Sequence, residues 1–194
     1  MTSGAKPMPR GLRAGRQGLR NLGNPLDFIA EDHLRHREIC AMIDALALAE
    51  RPDHAAMDEV LEFLEHEFAL HVEEEEQDLH VLMRRKCTAE DAIDITLKRL
   101  VVIHQEAAKT VVGVRGSLVR ALVGKAGFSA LDKKALTQFA AQERRHLIVE
   151  NAILLPLARA RLKARELDEL RMKMLRRRGL DKLLVQQSDG KKST

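Results

Sequence analysis

From Asn24 onward the apolar residues of this chain recur every three or four positions in four long stretches, with polar residues filling the intervals. That period marks amphipathic α-helices, in which residues i, i+3, i+4 and i+7 share one face. Ile29, His33, His36, Cys40, Ile43 and Ala47 form the first line. Asn24 followed by Pro25 gives it a cap and a first-turn proline, and Arg51-Pro52-Asp53 ends it after about Ala49. A second helix is expected from about Asp53 to Lys86, with Val60, Leu64, Phe68, His71, Glu75, Leu79 and Leu82 inward. Thr88 and Asp91 form a capping-box pattern ahead of a third helix. Its inward line is Ile93, Leu97, Leu100, His104 and Val111, and it runs to about Val123. Gly124-Lys125-Ala126-Gly127 is the clearest loop. Ser129 caps a fourth helix whose inward line includes Leu136, Phe139, Glu143, His146, Glu150, Ile153 and Leu157. Pro156 is expected to bend or disrupt it. A charged segment from Glu166 to about Gln187 reads as a fifth helix, packed outside the others or projecting. Four long helices with short connections imply an all-α protein, an antiparallel up-down four-helix bundle. The expected layout is a disordered basic tail over 1–24, the bundle over 25–165 and a basic C-terminal helix and tail over 166–194.

Composition supports helices over strands. Strands favour β-branched and aromatic residues, yet Tyr and Trp are absent and Phe occurs five times. No apolar run approaches the roughly 20 residues of a membrane span, and the basic N-terminus lacks the apolar centre of a secretory signal. Cys40 and Cys87 have neither zinc-type nor redox spacing, so a reduced, cytoplasmic protein is expected. The net charge of +4 is unevenly spread. Residues 1–24 hold five basic and no acidic side chains, 25–158 hold 16 basic and 24 acidic, and 159–194 hold 12 basic and five acidic. Basic ends on an acidic body are compatible with solvated tails or with an acidic partner such as nucleic acid. No aromatic residues interleave with the basic ones, which removes the usual stacking platform for single strands.

The chemistry lies in a duplicated spacing. His71 and Glu75 in LHVEEEEQDLHVLM are four apart, as are His146 and Glu150 in RRHLIVENAILLPLA. On a helix each pair sets an imidazole beside a carboxylate on one face. Each of the four helices also places a histidine in its apolar line: His33 or His36, His71, His104 and His146. One such histidine alone reads as a satisfied core residue. One per helix, two of them with a companion carboxylate, reads as a metal site, because buried charge needs a partner. Imidazole with carboxylate suits iron or manganese and tolerates zinc. His54 and His66 fall off the inward lines and read as surface residues, and His80 reads as lining one end of the bundle without ligating.

AEDHLRHREIC, LHVEEEEQDLHVLM, VIHQEA and RRHLIVENAILLPLARARL, spread over about residues 25–162, resemble the hemerythrin-like (HHE cation-binding) family. The resemblance implies two non-haem irons between four antiparallel helices, bridged by two carboxylates and an oxo or hydroxo group. Carried over by position, His33, His71, Glu75, His104, His146 and Glu150 would be the ligands, with Glu75 and Glu150 as the bridges. His33 is preferred to His36 because the family's ligand there commonly follows an acidic residue, as Asp32 does here. Oxygen carriers of the family have a second histidine on helix 3, whereas this chain has Leu100 and Ala108 at the flanking positions. About two coordination positions are thereby left for water, a small ligand or a further side chain. His36 and Glu74 are the candidates for that side chain, Glu74 reading otherwise as a solvated member of the run Glu73 to Glu76.

The implied function is binding or sensing of dioxygen, nitric oxide or iron. Alternatives are a di-iron enzyme acting on peroxide or nitric oxide, and a metal-stabilised interaction module. The absence of Tyr excludes a tyrosyl radical, and no nucleophile or phosphate-binding loop stands out for hydrolysis. The pattern favours a binding protein over a catalyst. Oligomeric state is open.

Overall fold

The computed structural model describes residues 24–124 and 127–180, and every regular element among them is helical. The expected disordered tail, the middle of the loop after Gly124 and the end of the expected fifth helix lie outside the described residues. Helix α1 spans Pro25–Leu48, and the Asn24 side chain accepts the Leu26 N–H at 2.9 Å. The expected second helix is a rod in four pieces: α2 (His54–His66), α3 (Phe68–Glu74), a π-helical turn (Glu75–Leu79) and α4 (His80–Lys86). Thr88 and Asp91 cap a short 3-10 turn, Ala89–Asp91, reciprocally. Helix α5 follows as Ile93–Gly124. Ser129 and Asp132 close a capping box on α6 (Ala130–Val149), which continues through a second π-helical turn (Glu150–Leu154) into α7 (Leu155–Arg161). Helix α8 spans Ala164–Arg177.

The two π-helical turns decide which side chains face inward. In each, a backbone N–H reaches five residues back instead of four: His80 to Glu75, and Leu155 to Glu150. One residue is thereby inserted into the turn, and everything beyond it is rotated relative to an unbroken α-helix. Ile153, expected inward from α-helical spacing, is 46% exposed, while Leu154 and Leu155 are buried in its place. Pro156 lies in the first turn of α7, directly after the wide turn, where the helix continues past it. The proline is not what makes such a turn, since Val81 holds the corresponding place after Glu75–Leu79.

Apolar side chains gather in two clusters. One contains Ile29, Leu82, Leu97 and Leu154; the other contains Ile43, Phe63, Val114 and Phe139. Helix α1 begins in the first and ends in the second, the rod α2–α4 returns, α5 crosses again, and α6–α7 returns once more. Ile43, Leu64 and Phe68, all on the expected inward lines, belong to the second cluster. Helix α8 is packed, not projecting: Leu170, Met174 and Leu175 are buried in the first cluster, followed by Leu180. No described helix is long and apolar enough to cross a membrane.

Candidate metal centre

Between the two apolar clusters each long helical segment contributes buried polar side chains. His33 and His36 come from α1, His71 and Glu75 from the second rod, His104 from α5, and Glu143, His146 and Glu150 from the fourth rod. Six of them converge. His33, His71, Glu75 and Glu150 each offer a ligand atom within 4.8 Å of the others, and so do Glu75, His104, His146 and Glu150. Both glutamates therefore belong to both groups. His33 Nε2 lies 3.4 Å from Glu75 Oε1 and 3.3 Å from Glu150 Oε2. His71 Nε2 is 3.4 Å from Glu75 Oε1, and His146 Nε2 is 2.9 Å from Glu150 Oε1, both pairs being one helical turn apart. His104 Nε2 faces His146 Nε2 at 2.8 Å.

The other nitrogen of each of these histidines is held from outside. His33 Nδ1–H donates to Asn151 Oδ1 at 3.2 Å, and the Asn151 amide is itself fixed by donating to Leu147 O at 2.8 Å. His104 Nδ1–H donates to Glu76 Oε1 at 2.8 Å. His71 Nδ1 is 3.5 Å from Asp32 Oδ2, and His146 Nδ1 is 3.4 Å from Glu143 Oε2. Each such contact sets the ring so that Nε2 points to the centre, the orientation metal-ligating histidines require once deprotonated.

This donor set fits a cation. His71 Nε2, Glu75 Oε2 and both carboxylate oxygens of Glu150 are buried without a hydrogen-bond partner among the described residues. Several are close to a neighbour, as at 2.9 Å between His146 and Glu150, but lack hydrogen-bond alignment. Unpaired buried carboxylate oxygens are destabilising, and cations among them relieve this. Electrostatics run the same way. Burial opposes ionisation of Glu75, yet the His71 and His33 imidazoles overcome it and hold its carboxyl well below the usual range. Burial and the neighbouring charge of Glu75 push the Glu150 carboxyl up. Burial opposes protonation of His146, but Glu150 and Glu143 outweigh it and raise the imidazole to about 11. Protons thus occupy positions where a metal would bind.

Residues 24–175 match the hemerythrin HHE cation-binding domain. The chain belongs to that family. Neither a curated protein nor a solved structure matches it. Membership implies cation binding, and the two His/Glu groups are the candidate donors for it.

His36 and Glu74 belong to neither group. His36 Nδ1–H donates to Glu143 Oε1 at 2.7 Å, so Glu143 serves His36 and His146 together. Burial and the nearby His71 imidazole lower His36 to about 4 despite Glu143. Glu74 is not solvated: it is 1% exposed, and its two oxygens accept from Arg178 Nε and Nη2, each at 2.7 Å. Arg178 Nη2 also donates to Asp32 Oδ2 at 3.0 Å, and the guanidinium lies 4.6 Å over the Phe28 ring. The end of the described chain thus reaches Asp32 and, through it, His71. His54 and His66 are exposed as expected, whereas His80 is fully buried and lowered to about 4, chiefly by burial. Glu76, Asn151 and Arg178 are not singled out by the sequence; for Glu76 and Asn151 the available signal is position, since each directly follows a bridging candidate, and for Arg178 there is none.

A recess of about 330 Å³ opens between α5 and α6, lined by Arg99, Ile103, Glu106, Gln142, Arg145, His146 and Val149. His146, only 1% exposed, forms part of its wall.

Proposed function

We propose that this is a non-haem di-iron-binding hemerythrin-like protein that binds or senses dioxygen, nitric oxide or iron through its His/Glu centre. The observation that carries the proposal is the pair of four-residue groups sharing Glu75 and Glu150. Two carboxylates common to two donor sets suit two ions side by side, with His33 and His71 serving one and His104 and His146 the other. Manganese or zinc would accept the same donors. Iron held there supplies redox chemistry and affinity for dioxygen and nitric oxide. The protein's own part is to orient four imidazoles through Asn151, Asp32, Glu76 and Glu143, to exclude bulk water with the two apolar clusters, and to admit small molecules through the recess at His146. The fourfold alternation between the clusters supports reading the domain as an antiparallel up-down bundle.

Elemental analysis of anaerobically purified full-length protein, with absorption spectra before and after admitting oxygen, tests this. About two irons per chain and a new charge-transfer band on oxygenation are expected. One zinc, or no metal, would overturn the di-iron reading. Sustained peroxide consumption, rather than a single cycle, would replace sensing with catalysis.

A further inference from the structure

Glu75 and Glu150 open the same wide turn on two rods, so the residues five further on, His80 and Leu155, hold equivalent places. Leu155 packs in the first apolar cluster, as that environment favours. His80 is 0% exposed, and neither of its ring nitrogens has a hydrogen-bond partner among the described residues. Its ring lies parallel to that of His104, with centroids 6.2 Å apart and planes 8° from coplanar. That stacking on His104 sets it beside the second donor group, and Glu75, His104, Arg84 and His146 all act on it electrostatically. It is a member of neither group. Burying an imidazole with both nitrogens unpaired is destabilising. Packing alone would favour leucine here, as at 155.

We propose that His80 is a positioning residue: its ring N–H donates a hydrogen bond to a small ligand, of the dioxygen, nitric oxide or azide class, taken up beside His104 and His146. This rests on the metal-centre reading above. A neutral imidazole offers one N–H and one lone pair, and these ligands carry a terminal atom able to accept. His146, a member of the same donor group, also forms part of the wall of the surface recess, which places that recess on the same side of the centre. The His33–His71 group has no such neighbour on the equivalent turn, where Leu155 stands. The centre is therefore asymmetric, with exogenous ligands held at the His104–His146 group.

The test uses full-length wild type, His80→Leu and His80→Gln, each measured metal-free and after anaerobic loading with ferrous iron, with azide as the probe. Metal content should be the same in all three. Metal-free His80→Leu should melt higher than wild type, because two unpaired buried nitrogens have been removed. From the loaded protein, azide should dissociate about tenfold faster in His80→Leu, the equivalent of one hydrogen bond. Its infrared band should lose the shift between H2O and D2O seen in wild type, and His80→Gln, which keeps an N–H, should recover part of both effects. Identical azide kinetics and isotope shifts in wild type and His80→Leu would overturn the proposal. So would a loss of metal in His80→Leu, which would make His80 a ligand, or a lower melting temperature of its metal-free form, which would make it structural. Wild type that takes up no metal would overturn the proposed function as well, whereas loaded wild type with an indifferent His80→Leu removes only the role of His80.

Discussion

His71 and Glu75 sit where four glutamates run together and two arginines close over them. Arg178 clamps Glu74 and Asp32, while Arg177 pairs with Glu73 and, at 3.0 Å, with Asp78. His146 and Glu150 have the same spacing and the same wide turn, but Asn151 and an apolar run follow them, and Leu154 and Leu155 enter the core. One half of the centre is steadied by carboxylates that arginines distant in sequence close over, the other by packing and by the buried Glu143 carboxylate of its own rod. Two helices can thus deliver equivalent donors by different physical means, and they should fail under different perturbations.

The largest effects should ignore the difference between the halves. Glu75→Ala and Glu150→Ala each remove a carboxylate common to both donor groups, and elemental analysis should find nearly all metal lost from either. His71→Ala and His146→Ala each touch one group only, so each should retain about one ion, given one donor set left whole. Equal retention in the glutamate and histidine variants would break the shared-bridge arrangement.

Next comes the ionic clamp. Arg178→Ala leaves Glu74 buried and unpaired, which should destabilise the protein by about 3–5 kcal/mol, read by denaturant unfolding. Adding Glu74→Gln to an Arg178→Met background should recover most of the loss, because no buried charge then lacks a partner.

Protons sharpen the comparison further. The His71 imidazole is raised well above its ordinary value, with burial opposing and Glu75 and Asp32 prevailing, and His146 is raised to about 11. Both groups stay protonated at neutral pH without metal, so an incoming ion must displace protons. Metal affinity should therefore rise with pH below about 11, by about tenfold per unit for each proton released, as titration calorimetry in buffers of differing ionisation enthalpy can count. The smallest change is expected of Asn151→Ala, which frees His33 Nδ1 and should weaken metal binding by about 10- to 100-fold without removing a ligand.

The helices were legible because the three-to-four periodicity of Ile29 through Ala47, and of its counterparts, survives without reference to tertiary contacts. Four of the six convergent donors were legible because i and i+4 share a face, and His104 because it stands in the apolar line of its helix, whereas the choice of His33 over His36 came from the family resemblance. Ile153 was misplaced because periodicity assumes an unbroken α-helix, and the inserted residue at Glu150–Leu154 moves the inward position to Leu154 and Leu155. Glu74 was read as solvated because a run of glutamates looks like an exposed face, and its partner Arg178 lies 104 residues away. Long-range pairing of that kind leaves no local pattern. His80 suffered from both problems, since the wide turn after Glu75 carries it inward and its neighbours come from α5 and α6.

The contact of Arg178 with Asp32 joins the last described turn of the chain to the first helix. During synthesis the N-terminal helices emerge first, and His146, Glu150 and the arginine that steadies Asp32 leave the ribosome after them. A nascent chain lacking the fourth rod therefore carries His33, His71 and His104 without the closed donor sets of the folded protein. Under the proposed function, a donor set shared by Glu75 and Glu150 thus closes only once the fourth rod has been made.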